Sequence, residues 1–159
     1  MYSSQIDNIV KSDPLMRRFW LGVYSRDNIP QLPAKTTWGL IANTESMANP
    51  GQHWIGLYSV CEGSDVIFLD PLAQDINTYG KEFEQALKDF NVITLDKPIQ
   101  NDKSVYCAAY CLMFYYYLLR DVSLCSIVDT FCSETIYNDA IVRDFFATKL
   151  SIHLKIKIK

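Results

Sequence analysis

The sequence contains one long unbroken apolar run, from Val105 to Leu119, directly after a short polar loop. The run has about fifteen residues, whereas a membrane-spanning helix needs roughly 20. It is therefore predicted to be a buried core helix, around which the rest of the chain must pack. Ser104, the last residue of the polar loop, is predicted to be the N-cap of this helix.

Cys107 lies in the first turn of the predicted helix. Unpaired backbone N–H groups and the positive end of the helix dipole favour an anion at this position, and a thiolate is an anion. Proteins commonly make a cysteine nucleophilic in this way. Cys107 is therefore a candidate nucleophile, although most lone cysteines in apolar surroundings are small core residues.

Composition limits the classes to which the protein can belong. The 159 residues, 49% of them hydrophobic, predict a single domain, 1–159, with one core. A net charge of −3 argues against the whole molecule as an electrostatic partner of nucleic acid. The first residues do not resemble a signal peptide, and five irregularly spaced cysteines do not indicate a disulfide framework. We therefore expect an intracellular protein with reduced thiols and no membrane partner.

Hydrophobic periodicity predicts an α+β domain, with a small, mostly antiparallel mixed sheet packed against the central helix. The Cys61 to Asp65 segment is typical of a hairpin loop, so the strands on either side of it are expected to pair. Strands are predicted at Trp38 to Asn43, Trp54 to Val60, Val66 to Asp70 and Val92 to Leu95, with an extended segment at Phe19 to Tyr24. Helices are predicted at Ser4 to Lys11 and Tyr79 to Phe90.

Two further elements are predicted after the central helix. The tail, Ser151 to Lys159, alternates apolar and polar residues, which predicts an edge strand guarded by lysines, with a basic contact arm as the alternative. A helix is expected within 126–150, with one face formed by Ile136, Ala140, Ile141 and Phe145.

Hydrolysis by cysteine also needs an imidazole, a group that orients the imidazole, and donors for the oxyanion. Of the two histidines, His53 precedes a strand, whereas His153 lies in the tail and is a poor candidate. Asp70 ends the next strand, so antiparallel pairing would place its carboxylate beside His53. Gln100, seven residues before Cys107, can fold its amide over the thiol and form a two-donor oxyanion hole with the Cys107 N–H.

Each of these residues also has an ordinary structural interpretation, and a metal site is a further alternative. Cys107 and Cys111 would need Cys125, Cys132 or a histidine to complete it. No paired ligand spacing supports such a site, so neither a metal nor an organic cofactor is predicted.

The order His, acid, Gln, Cys and the segments around these residues resemble the adenovirus maturation protease family, adenain, which is related more distantly to SUMO and ubiquitin-like proteases. The similarity runs from the N-terminal helix to about Tyr117. Asp70 stands where the family has Glu. The matching segments are Leu21 to Tyr24 with Pro30, Ile41 to Thr44 before Gly51 to Trp54, Phe68 to Pro71, and Gln100 to Cys107 before Cys111 to Phe114.

The resemblance implies a papain-like, adenain-type fold, with Cys107 as nucleophile, His53 as base and acid, Asp70 as imidazole orienter and Gln100 as oxyanion donor. It also implies a viral cysteine endopeptidase that cleaves capsid or core precursors during virion maturation, of a divergent viral, virophage or Maverick/Polinton-type branch. The implied partners are these precursor polypeptides and an activating viral peptide. Such an enzyme is expected to be a monomer, in the host cytoplasm or nucleus and packaged in the virion.

Two departures from the family and two alternatives remain. Ala108 follows the nucleophile where the family commonly has Gly. The family enzyme is strongly basic and is stimulated by DNA, and such stimulation is not expected of this acidic chain. The family enzyme is also activated by a small viral peptide that is tethered through a disulfide, and the resemblance does not decide which of Cys61, Cys125 and Cys132 would form that disulfide. The alternative functions are an isopeptidase for ubiquitin-like modifiers and a non-catalytic capsid-assembly protein.

Overall fold

A five-stranded mixed sheet lies at the centre of the computed structural model, which describes residues 1–60, 63–152 and 154. Three short 3-10 turns lie between the described helices and strands, at Arg26–Asn28, Ile76–Tyr79 and Thr135–Tyr137. The strands are β1 (Trp20–Ser25), β2 (Trp38–Asn43), β3 (Trp54–Ser59), β4 (Asp65–Leu69) and β5 (Asn91–Thr94), in that spatial order. The helices are α1 (Ser3–Ser12), α2 (Pro14–Arg18), α3 (Lys81–Leu87), α4 (Cys107–Leu118), α5 (Leu124–Val128) and α6 (Asn138–Lys149).

The sheet is half parallel. The central pairs, β2 with β3 and β3 with β4, are antiparallel, whereas the outer pairs, β1 with β2 and β4 with β5, are parallel. The α+β class is confirmed, but the prediction of a mostly antiparallel sheet is wrong. The chain between β4 and β5 includes a 3-10 turn and α3, and a connection of that length returns the chain so that the next strand runs in the same direction.

The predicted central helix is α4, which begins at Cys107 and is buried along almost its whole length. It packs on β3, where the Tyr58 hydroxyl donates a hydrogen bond of 2.8 Å to the carbonyl of Cys111. The prediction of Ser104 as N-cap is wrong, because Tyr106 occupies that position. The Ser104 hydroxyl instead accepts a hydrogen bond from the Tyr106 N–H at 3.2 Å.

Gly39 on β2 permits the close approach of α4 to the sheet. A Cβ at this position would overlap the ring of Tyr115. That ring also stacks on Tyr58, at 5.3 Å between ring centroids, and its hydroxyl donates to the Met16 carbonyl. The Tyr115 ring is therefore held from several sides and has little freedom to move away.

Gly39→Ala is expected to destabilise the protein by about 2–3 kcal/mol, because overpacking a filled core forces side chains or backbone to shift. Urea unfolding measures the change. A double-mutant cycle with Tyr115→Leu is the control: the double variant should be less destabilised than the sum of the single variants, because the smaller side chain relieves the overlap. Strict additivity would contradict this packing.

Helical elements differ from the prediction where a 3-10 turn interrupts the periodicity. Gly80, with φ of +106°, separates α3 from the turn that precedes it. Ile136 lies in another turn and is 67% exposed, and Ala140 is also exposed, so the predicted buried face is wrong at both positions. Phe145 is buried as predicted, and the buried face of α6 consists of Asn138, Val142, Phe145 and Phe146.

The C-terminal tail is described only in part. Ser151, Ile152 and Leu154 do not form a strand, so the predicted edge strand does not include them. The remaining tail residues, His153 and 155–159, lie outside the described residues, and so does the predicted basic arm with its three lysines. In the described ranges, no helix has both the length and the apolar character needed to cross a membrane.

Candidate active site

His53 and Asp70 meet at the open end of the β3–β4 hairpin, opposite the loop that joins the two strands. Because these strands are antiparallel, with Gly56 opposite Leu69, the residue before β3 lies beside the residue after β4. His53 Nε2 is 2.7 Å from Asp70 Oδ1. The structure therefore brings these two predicted site residues into direct contact.

The carboxylate of Asp70 is 2% exposed and is surrounded by donors. Besides His53, it accepts hydrogen bonds from the backbone N–H groups of Leu72 and Gln74, each at 2.9 Å, and from the Tyr79 hydroxyl at 2.7 Å. Burial opposes ionisation, but the hydrogen bonds from His53 and Tyr79 outweigh it, so the pKa of Asp70 lies below its ordinary value. Asp70 is thus a fixed anion that can orient the imidazole.

Tyr79 belongs to this site but was missed by sequence reasoning. Its ring lies 5.9 Å from the His53 ring, between centroids, and its hydroxyl completes the set of donors around Asp70. A lone tyrosine nine residues after the carboxylate carries no recognisable pattern. The contact exists because the 3-10 turn after β4 folds back over the end of the strand.

The Cys107 thiol is close enough to the His53 imidazole to contribute, with Asp70, to the raised pKa of that ring. Because Nε2 faces Asp70, Nδ1 is the ring nitrogen available to the sulfur. Burial alone would lower the pKa of His53, but hydrogen bonds to Asp70 and Cys107 and the charges of these groups raise it from 6.5 to about 9. The imidazole therefore carries a proton at neutral pH.

The second cysteine of the helix, Cys111, has a different environment. It is fully buried, and its thiol donates to the carbonyl of Trp54 at 3.6 Å and lies 4.0 Å from that of Leu69. Burial raises the pKa of Cys111 far above its usual value, so this thiol stays protonated. Trp54 follows His53 and Leu69 precedes Asp70. The Cys111 thiol therefore links α4 to the backbone next to each of these two site residues.

Gln100, the predicted oxyanion donor, is 4% exposed and lies in the loop before α4. Its side-chain Nε2 donates to the Ser104 carbonyl at 3.1 Å, which leaves the second Nε2 hydrogen for another acceptor. As the first residue of α4, Cys107 has a backbone N–H with no acceptor inside the helix. Both donors belong to residues that line one cleft, as the predicted oxyanion hole requires.

The cleft has a volume of about 1320 Å³ and is also lined by His53. Ala108, the departure from the family pattern, is 1% exposed, packs in the core and is not among the residues that line the cleft. Its methyl group therefore does not narrow the cleft. Among the described residues, no group of three or more His, Cys, Asp or Glu side chains could hold a metal ion.

The raised pKa of His53 predicts how its ring titrates. We expect a midpoint of about 9 in an NMR titration, and a lower midpoint in Asp70→Asn, which lacks the carboxylate charge. His153→Ala assigns the two histidine signals. A wild-type midpoint near 6.5, unchanged in Asp70→Asn, would contradict the contacts described here.

The same shift predicts a dependence of stability on pH. Because the folded-state pKa of His53 is above its unfolded value, protonation stabilises the fold fully below about pH 6.5, and this stabilisation is lost as pH rises through 9. Urea unfolding between pH 6.5 and 9 should therefore show a falling free energy of unfolding. His53→Gln should flatten this fall.

No protein-family model matches the chain, and no curated protein matches it. Among solved structures, the chain is similar to ChlaDub1 from Chlamydia trachomatis, with 12% sequence identity and a TM-score of 0.47. The similarity covers 89% of this chain and 74% of ChlaDub1. At these values the likeness assigns neither a family nor an activity, and the resemblance to adenain remains a prediction from the sequence motifs.

Proposed function

We propose that this protein is a cysteine endopeptidase. The observation that carries the proposal is that His53, hydrogen-bonded to Asp70 and raised in pKa by Cys107, lines one cleft with Cys107 and Gln100. Nucleophile, base, orienting acid and oxyanion donor are four separate requirements, and side chains of the right type meet all four. Glu45 and Asp102 also line the cleft, and its described lining includes no lysine or arginine, which disfavours a polyanionic substrate.

In the proposed reaction, the Cys107 thiolate attacks the carbonyl carbon of a peptide bond. Gln100 Nε2 and the Cys107 N–H stabilise the oxyanion that forms. The His53 imidazolium then gives its proton to the leaving amine, which leaves a thioester on Cys107. His53, now neutral, removes a proton from water as the water attacks the thioester, and the acid product and free thiol are released. Asp70 keeps Nδ1 directed at the sulfur throughout.

The biological role in this proposal comes from the sequence resemblance. It is cleavage of viral capsid or core precursors during virion maturation, at bonds flanked by small residues such as glycine, with an activating viral peptide as a further partner. The protein would act in the host cell and be packaged in the virion.

The same chemistry also cleaves isopeptide bonds, so the test compares two sets of substrates. Purified protein is incubated with viral precursor peptides that contain Gly next to the scissile bond, and with conjugates of ubiquitin-like proteins. Faster cleavage of the precursor peptides is expected. Preference for the conjugates would replace the proposal by an isopeptidase, and no reaction with thiol-directed electrophiles, even with viral peptide added, would favour a non-catalytic capsid-assembly protein.

A further inference from the structure

The loop that carries Gln100 is tied at both ends to α6. We call residues 99–104 the oxyanion strap. At its start, the fully buried side chain of Asn138 donates to the carbonyl of Ile99 at 2.8 Å. At its end, the Ser104 hydroxyl donates to the Asp139 carboxylate at 2.7 Å. Two consecutive residues of the first turn of α6 therefore hold the two ends of the strap.

Ser104 connects this anchor to Gln100. Its carbonyl accepts the Gln100 amide at 3.1 Å, while its hydroxyl oxygen accepts the Tyr106 N–H at 3.2 Å. Because the hydroxyl oxygen is already an acceptor, its hydrogen is directed to Asp139. One residue thus holds the side chain of the oxyanion donor, the backbone just before the nucleophile, and the carboxylate on α6.

The main chain of Gln100 is fixed separately. Its N–H and that of Ile99 each donate to the carbonyl of Pro71 at 3.0 Å, and Pro71 directly follows Asp70. The Gln100 backbone is thus held by Pro71 and, through the Ile99 carbonyl, by Asn138, and none of these contacts involves Asp139. What Asp139 controls, through Ser104, is the orientation of the side-chain amide.

We propose that Asp139 is a positioning residue for the oxyanion hole, acting through Ser104 on the Gln100 amide. This inference depends on the proposed function, because it assigns a role within the same site. Asp139 should affect steps that form an oxyanion and should not affect the intrinsic reactivity of the Cys107 thiol, since no described contact joins Asp139 to Cys107, His53 or Asp70.

Two small reagents separate these effects without a known substrate. Iodoacetamide alkylates Cys107 by displacement of iodide, which needs the thiolate and no oxyanion donor. Acylation by p-nitrophenyl acetate passes through a tetrahedral oxyanion before p-nitrophenolate leaves. In Asp139→Ala, the acylation rate should fall about ten- to a hundredfold, while the alkylation rate stays within about twofold of the wild type. The fall in acylation should not exceed the loss of about 10²- to 10³-fold that is typical when an oxyanion donor is removed altogether.

Two further variants keep the test decisive if Asp139→Ala folds poorly, since Asp139 also accepts from the Tyr110 hydroxyl at 3.0 Å. Asp139→Asn retains an oxygen that can accept from Ser104 and should recover most of the acylation rate. Ser104→Ala removes the hydroxyl and should lower acylation as Asp139→Ala does. Asp144→Ala, an exposed aspartate on the same helix, is the matched control and should leave both rates unchanged.

The outcomes distinguish the inference from the proposed function. If Asp139→Ala and Ser104→Ala change neither rate, or lower acylation and alkylation equally, the positioning role is overturned and the proposed function stands. If wild-type Cys107 reacts with neither reagent, the proposed function fails, and the inference fails with it.

Discussion

Cys107→Ala is expected to abolish hydrolysis while the fold stays intact. The sulfur forms the covalent bond to the substrate, and removing a catalytic nucleophile lowers turnover by about 10⁵-fold or more. The fold should tolerate the change because Cys107 lies at the cleft end of α4, and alanine is a strong helix former. Hydrolysis of a precursor peptide measures the loss, and circular dichroism checks the fold.

Cys111→Ala is the matched control, one helical turn further along α4. Cys111 is fully buried and its thiol bonds the Trp54 carbonyl, so we expect a loss of about 1–2 kcal/mol in stability and little loss in turnover. The opposite ranking of the two variants would mean that the wrong thiol has been identified as the nucleophile.

His53→Ala is expected to produce the second largest loss, about 10³- to 10⁵-fold in kcat/KM, because no other described group can take and return the proton. The alkylation rate of Cys107 should also fall, since the base that takes the proton of the thiol in the proposed mechanism is gone. This combined loss differs from that expected of Asp139→Ala, in which alkylation is retained.

The matched control for His53→Ala is His153→Ala, the only other histidine substitution that the sequence permits. It should leave both hydrolysis and alkylation unchanged. Equal losses in the two variants, or normal turnover in His53→Ala, would show that His53 is not the base.

The β3–β4 hairpin explains why much of the site could be predicted from the sequence. His53 precedes one strand and Asp70 follows the next, and a short loop between strands favours antiparallel pairing, which brings these positions together. The boundary between a polar loop and an apolar run located Cys107 in the same way. The start of the helix was placed at Val105, two residues too early, because Tyr106 and not Ser104 precedes α4.

The supporting contacts could not be predicted, because each joins an isolated polar residue to a distant part of the chain. Tyr79 reaches Asp70 only through the 3-10 turn after β4. Asp139 reaches Ser104 across 35 residues, and the contact depends on how α6 packs. The buried face of α6 was misjudged for a related reason: Ile136 lies in a 3-10 turn, where helical periodicity does not apply.

The proposed activation of Cys107 is tested by the rate at which limiting iodoacetamide labels each cysteine at neutral pH, followed by peptide mass spectrometry. Cys107 is only 7% exposed, whereas Cys125 and Cys132 are exposed, so a passive thiol at position 107 would react more slowly than either. We expect Cys107 to be labelled first in the wild type and to lose this preference in His53→Ala. Labelling of Cys125 or Cys132 ahead of Cys107 in the wild type would contradict the proposed activation.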